Sequence, residues 1–275
     1  MAVIRIGEDI KEYAAGTSFM DIAAEYQDQY ENDILLVKEN GKLKELFKTV
    51  NKDASLEFIT AADKPGQQAY ERSVILLFLK ALYRSADHDK IEKAIVDFSV
   101  THGYYIEIRG DICLDDKFVK TIKNCMEEIV RENQPIIKRT VKTDRAVEVF
   151  EQHKMVDKAR LFRYRRSSQV NIYSMGGFED YYYGYMVPSS GYLKYFDLRL
   201  YEKGLILLLP NRDCPKEVAP FVPTPKVFAT LLEASRWSSC LEVETVAQLN
   251  DMIVEGKANE LILVQEALQE HKLAE

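Results

Sequence analysis

Residues 71–85, ERSVILLFLKALYRS, set the terms for everything around them. Their spacing is helical, and the helix they predict is apolar on most of its circumference, so it has no broad face to give to water and must be buried. The flanking sequence reads as a mixture of strands and helices. GYYIEIRGDICL (103–114) alternates as a strand, and Asp115 or Asp116 then caps a helix, KFVKTIKNCMEEIVRENQ, that stops at Pro135. IIKRTVKT predicts a strand and DRAVEVFEQHK a helix, and ARLFRYRR, VNIYSM and YLKYFDLRLY read as further strands.

The first 62 residues form a smaller unit. AVIRI alternates as a strand, and GTSFMDIAAEYQDQY then opens a helix with Phe19, Ile22, Ala23 and Tyr26 at helical spacing. Thr17 or Ser18 caps its orphan amides, and Asp21 favours its positive end. DILLVKENGKLKEL is two short strands about Asn40-Gly41, a pair suited to the positive φ of a tight hairpin. ASLEFIT closes the unit and AADKPGQQ links it onward. Beyond residue 210, CPKEVAPFVPTP reads as an extended tether, followed by three helical stretches within 226–275, the last amphipathic and ending as if the chain were cut short.

The expected fold class is α+β: a β-grasp over 1–62, an α+β domain with an antiparallel sheet over 68–210, and a helical tail over 211–275. GTSFMDIA, VKENGKLKEL and ASLEFIT resemble the TGS domain, a ubiquitin-like module of threonyl-tRNA synthetases and of certain GTPases and nucleoside kinases. HGYYIEI (102–108), TDRAVEVFEQHKMVDKARL (143–161) and DYYYGYMVPSSG (180–191) resemble the editing domain of threonyl- and alanyl-tRNA synthetases.

Editing members of that family carry His-x-x-x-His on the buried helix and Cys-x-x-x-His in a hairpin, a set suited to zinc or to polarising a water. On this chain the resemblance puts the first pair at Arg72 and Leu76 and the second at Tyr182 and Met186. Guanidinium and alkyl groups donate no lone pair, and phenol and thioether are poor zinc ligands at neutral pH. No metal, cofactor or catalytic set is therefore expected. The segment 180–198 instead holds six of the 16 tyrosines. These fill the vacated volume across two strands, or dock a partner, or form a cleft in which Tyr181, Tyr182, Tyr183 and Tyr185 stack on a base, with Arg72 offering a charged fork to an anion.

Charge leaves a second option open. The net charge is −7, yet residues 138–166 hold ten Lys and Arg against four Asp and Glu. Arg160, Arg163, Arg165 and Arg166 interleave with Phe162 and Tyr164, compatible with either RNA contact or a solvated strand face. Acidic ends exclude a general nucleic-acid coat, not a local patch. The four cysteines are widely spaced, which predicts reduced thiols and a cytoplasmic protein. No run is long enough for a membrane helix, and the start lacks the pattern of a signal peptide. The four histidines are scattered, His102 sitting at a turn before a strand.

RWSSCLEVETVAQLNDMIVEGKANELILVQEALQEHKLAE resembles the helical connector before the P-loop kinase of uridine-kinase-like nucleoside kinases. That resemblance implies a non-catalytic regulatory region, a nucleoside or nucleotide effector, and a kinase domain of the same polypeptide as partner. The alternative expectation is an RNA-binding accessory region related to the front of threonyl-tRNA synthetase, contacting a tRNA-like hairpin; a residual deacylase is the third.

Overall fold

In a computed structural model the chain is described over residues 1–86, 88–152 and 155–274. Contacts group it into two compact units, Met1–Lys138 with Tyr173–Pro223, and Arg139–Ile172 with Thr224–Glu275.

The first unit begins with a five-stranded sheet. Strands β1 (Ala2–Ile6), β2 (Asp9–Tyr13), β3 (Ile34–Glu39), β4 (Lys42–Glu45) and β5 (Ala54–Thr60) run in the order β2-β1-β5-β3-β4. Only β1 and β5 pair in parallel. Helix α1 (Phe19–Tyr26) buries Phe19, Ile22, Ala23 and Tyr26 against the sheet, completing a β-grasp. Ser18 is its cap, its hydroxyl accepting from the Asp21 amide at 3.1 Å. Asn40 and Gly41 take φ of 49° and 77° in the β3–β4 turn, the left-handed pair that a two-residue hairpin demands.

The long apolar helix is α2 (Lys64–Ser85), with Val74, Leu76, Leu77, Phe78, Ala81 and Leu82 all buried. It packs with α3 (Asp116–Arg131) into one core, together with an antiparallel sheet. That sheet is ordered β11-β12-β7-β6, from β6 (Ile91–Val100), β7 (Gly103–Gly110), β11 (Asp197–Tyr201) and β12 (Gly204–Leu208). Leu35, Leu36 and Ile59 of the β-grasp join the same core. Asp115 caps α3 by accepting from the Phe118 amide at 2.7 Å. Three further strands, β8 (Ile136–Lys142), β9 (Gln169–Met175) and β10 (Phe178–Tyr181), form a sheet ordered β10-β9-β8.

The second unit is helical outside those strands: α4 (Thr143–Gln152), α5 (Val156–Phe162), α6 (Pro225–Cys240), α7 (Val246–Val254) and α8 (Ala258–Ala274). The sequence reading differs from this fold in three places. ARLFRYRR is not a strand; Ala159 and Phe162, three residues apart, bury one face of α5, and Phe162 meets Phe150 of α4 edge-on at 5.0 Å. The tyrosine segment is not a two-stranded hairpin, since β10 ends at Tyr181 and 182–196 runs as an irregular loop with one 3₁₀ turn. Strand β6 carries no clear strand signal in sequence, because its two register shifts against β7 break the alternation a strand would otherwise carry. Among the described residues, no helix is long and apolar enough to cross a membrane.

Candidate functional site

Helix α2 supplies the floor on which the tyrosine loop lies. Ser73 is fully buried, its hydroxyl donating to the Ala69 carbonyl at 2.7 Å and accepting from the Val187 amide at 3.0 Å. One residue earlier, Arg72 donates through Nη1 to the Tyr185 carbonyl at 3.3 Å. Gly184 makes this approach possible: its φ is +124°, and a Cβ there would stand 2.7 Å from the Arg72 guanidinium carbon. Leu76 and Met186 are both buried in the apolar core.

The tyrosines have separate fates. The Tyr182 and Tyr185 rings pack against the core around α2, whereas Tyr183 is 83% exposed. The Tyr182 hydroxyl is sealed from solvent without a hydrogen-bond partner among the described residues. Burial first, and then the Asp180 carboxylate, push this phenol well above its ordinary pKa. Tyr181 is half-buried, its amide donating to Asp180 Oδ1 at 2.6 Å. Arg72 and the Tyr185 carbonyl thus come together, with the loop folded down over the guanidinium at Gly184. Among the described residues no group of three or more His, Cys, Asp or Glu is placed to hold a metal ion, and His153 lies outside those residues.

A buried polar network that the sequence did not signal ties this loop to the β-grasp. Glu45, 3% exposed at the end of β4, accepts from Lys138 Nζ at 2.7 Å. The hydroxyl of Tyr173 on β9 lies 2.8 Å from the same Glu45 oxygen and 2.6 Å from the Gly184 carbonyl, and its one proton serves one acceptor at a time. Burial, then the Glu45 charge, raise the Tyr173 phenol far above its usual value. Lys138 also stands 5.4 Å above the centroids of both the Tyr173 and Tyr185 rings. A lone Glu at a strand end reads as solvated in sequence, so only the fold brings out its role.

The arginines of the basic stretch separate into two groups. Arg160 is ion-paired with Asp251 of α7, and the Tyr164 hydroxyl bonds the same carboxylate, so both hold α5 to α7. Arg163, Arg165 and Arg166 instead follow the C-terminus of α5 and, with Lys142, line an open cavity of about 650 Å³. Asp144 also lines it, and Thr143, Ser167 and Ser168 add hydroxyls. Arg165 lies over the Phe162 ring at 5.6 Å, which fixes its direction at little cost. Arg163 faces Glu151 at a loose 3.8 Å with both side chains more than half exposed, a pair of small energetic weight. Lys142 has no sequence signal that sets it apart from its neighbours; it enters because β8 delivers it beside the turn after α5. The arrangement concentrates positive charge and hydroxyl donors in one concave surface, with Asp144 the acidic residue on its wall.

No family model matches the chain. It is 30% identical over 190 residues to threonine–tRNA ligase 1 of Bacillus subtilis (strain 168), a match covering 69% of this chain and 29% of that ligase. It is 29% identical over 190 residues to the threonine–tRNA ligase of Listeria welshimeri, again 69% of this chain and 29% of the ligase. The ligase of Desulforamulus reducens is 26% identical over 186 residues, 67% of this chain and 29% of its own length. The matches therefore span less than a third of these relatives, and over that span the chain is related to threonine–tRNA ligases.

Proposed function

We propose that this chain is a non-catalytic RNA-contact region related to the corresponding part of threonine–tRNA ligases, holding a tRNA-like hairpin by its phosphates. The observation that carries this reading is the cavity lined by Lys142, Arg163, Arg165 and Arg166, four cations in one concavity on a chain of net charge −7. Guanidinium forks suit phosphate oxygens, and the kinship with ligases that act on tRNA supplies the partner class. The editing chemistry is lost, because Arg72, Leu76, Tyr182 and Met186 stand where the resemblance puts histidine and cysteine.

Binding of a tRNA acceptor hairpin, followed by fluorescence anisotropy over a salt series, tests this. Four phosphate contacts predict a log–log salt slope of roughly −3 to −4, and Arg163→Ala or Arg165→Ala should each flatten it by about 1. Arg160→Ala should leave the slope unchanged. Absence of binding at about 50 mM salt, or binding indifferent to both cavity substitutions, defeats the reading.

A second reading draws on the tail, where α6, α7 and α8 occupy the segment that resembles the connector of uridine-kinase-like nucleoside kinases. In that reading a kinase domain of the same polypeptide is the partner, and a nucleoside effector binds at Arg72, Tyr181, Tyr182, Tyr183 and Tyr185. The packing of Tyr182 and Tyr185 against the core weighs against an open cleft there. A salt-insensitive melting shift with uridine, abolished by Arg72→Ala, would favour this reading over the first.

A further inference from the structure

The turn between β6 and β7 brings together features that neither the tyrosine loop nor the basic cavity uses. Thr101 sits at φ 53°, a strained position for a β-branched residue. Gly103, at the start of β7, is pressed so closely on β12 that a Cβ would meet the Leu207 carbonyl oxygen at 2.5 Å. The turn is therefore held in place from behind while its front stays open. In front of it is a pocket of about 130 Å³, lined among others by Gln67, Glu71, His102, Tyr104 and Asn211.

Glu71 is half-buried on α2 and accepts from the Tyr104 hydroxyl at 3.1 Å. Burial raises its carboxyl pKa, an effect that outweighs the opposing influence of Tyr104, the Arg72 charge and the Gln67 side chain. The Arg72 guanidinium, which is directed to the Tyr185 carbonyl, opposes that rise only in part. A cation entering the pocket would supply the missing charge at a desolvated site, where an ion pair gains most.

We propose that this pocket binds a small organic ammonium compound, its amine anchored by Glu71 and its polar remainder met by Gln67, His102 and Asn211. The volume corresponds to about four water molecules, which limits the ligand to roughly five heavy atoms. The anchoring carboxylate distinguishes this site from one for anions or for neutral polyols of the same size.

Ethanolamine is the probe, with ethylene glycol as its uncharged counterpart, read by amide chemical shifts of Gly103 and Tyr104 in the whole chain. Ethanolamine is expected to shift both resonances saturably, ethylene glycol to leave them in place, and Glu71→Gln to weaken binding at least tenfold. Ser99→Phe, at an exposed position on the pocket wall, should block entry without touching the carboxylate, and it decides the matter if Glu71→Gln does not fold. The proposal is overturned if ethanolamine gives no saturable shift, if ethylene glycol matches it, or if binding survives either substitution.

Discussion

Removing the charge of Lys138 is the sharpest test of how the tyrosine loop is held. Its ammonium pairs with a Glu45 carboxylate whose side chain is 4% exposed, while the Lys138 side chain is 17% exposed. Methionine at this position keeps an apolar stem over the Tyr173 and Tyr185 rings and deletes only the charge. Removing one partner of a buried pair costs roughly 3–5 kcal/mol, because the other charge is left stranded. Glu45 would retain the Tyr173 hydroxyl at 2.8 Å as a donor. That residual bond puts Lys138→Met at the lower end, about 3 kcal/mol, or a fall in Tm of about 6–12 °C for a unit of this size. Glu45→Gln should cost less, about 1–2 kcal/mol, since an amide still accepts from Tyr173 and Lys138 sits near enough to the surface to reach water. The double variant should then be more stable than the two single losses added together, with a coupling of at least about 1 kcal/mol. Urea unfolding followed by far-UV circular dichroism measures all four proteins. If Lys138→Met lies within about 0.5 kcal/mol of the wild type, or the two losses simply add, the network does not hold the loop in the way argued.

Two further perturbations separate packing from hydrogen bonding among the tyrosines. Tyr182→Phe deletes a buried hydroxyl that makes no hydrogen bond within normal distance among the described residues, although the Asp180 carboxylate is near enough to raise its pKa. The change should stabilise the chain by about 1 kcal/mol, whereas a loss of stability would mean that the hydroxyl bonds Asp180. High pH probes other buried phenols together. Burial raises the phenols of Tyr70 and Tyr173, and that of Tyr104 is pushed up to about 12 from 10.0. A pKa raised in the folded state favours the protonated phenol there. The stability it contributes is thus complete below pH 10 and is lost as pH climbs through the folded values. The urea midpoint should be flat to about pH 9.5 and fall steadily from about pH 10 to 12; a flat profile to pH 12 would show these hydroxyls to be freely solvated.

Local signals carried most of the fold. The Asn40-Gly41 turn, the Ser18 and Asp115 caps and the all-round apolar α2 each rest on chemistry within a few residues, and each is where its pattern predicts. What failed depended on contacts distant in sequence. The stretch from Ala159 to Arg166 passes for a strand by composition, and it is distant residues, Phe150 of α4 meeting Phe162 and Asp251 of α7 pairing with Arg160, that hold it as a helix. The tyrosine segment has strong strand propensity, but Ser73 and Arg72 on α2 take the Val187 amide and the Tyr185 carbonyl that a strand partner would need. Propensity yields where the backbone finds other partners.

The same distinction explains why the candidate sites were only half legible. Arginines could be counted from the sequence, but not which of them share one surface. Asp251, 85 residues beyond Arg166, removes Arg160 from the basic group by pairing with it, while Lys142 joins because β8 ends beside the α5 turn. Glu45 is the reverse case: nothing in its sequence context marks a buried carboxylate, yet it is the more buried member of an ion pair with Lys138, more than 90 residues away. A charged side chain's role depends on its desolvation and on the partner that offsets it, and both are properties of packing rather than of spacing. Glu71 applies that rule to the pocket before the β6–β7 turn: burial raises its carboxyl pKa against the opposing influence of Tyr104, Arg72 and Gln67, and a cation in the pocket would oppose the burial as they do.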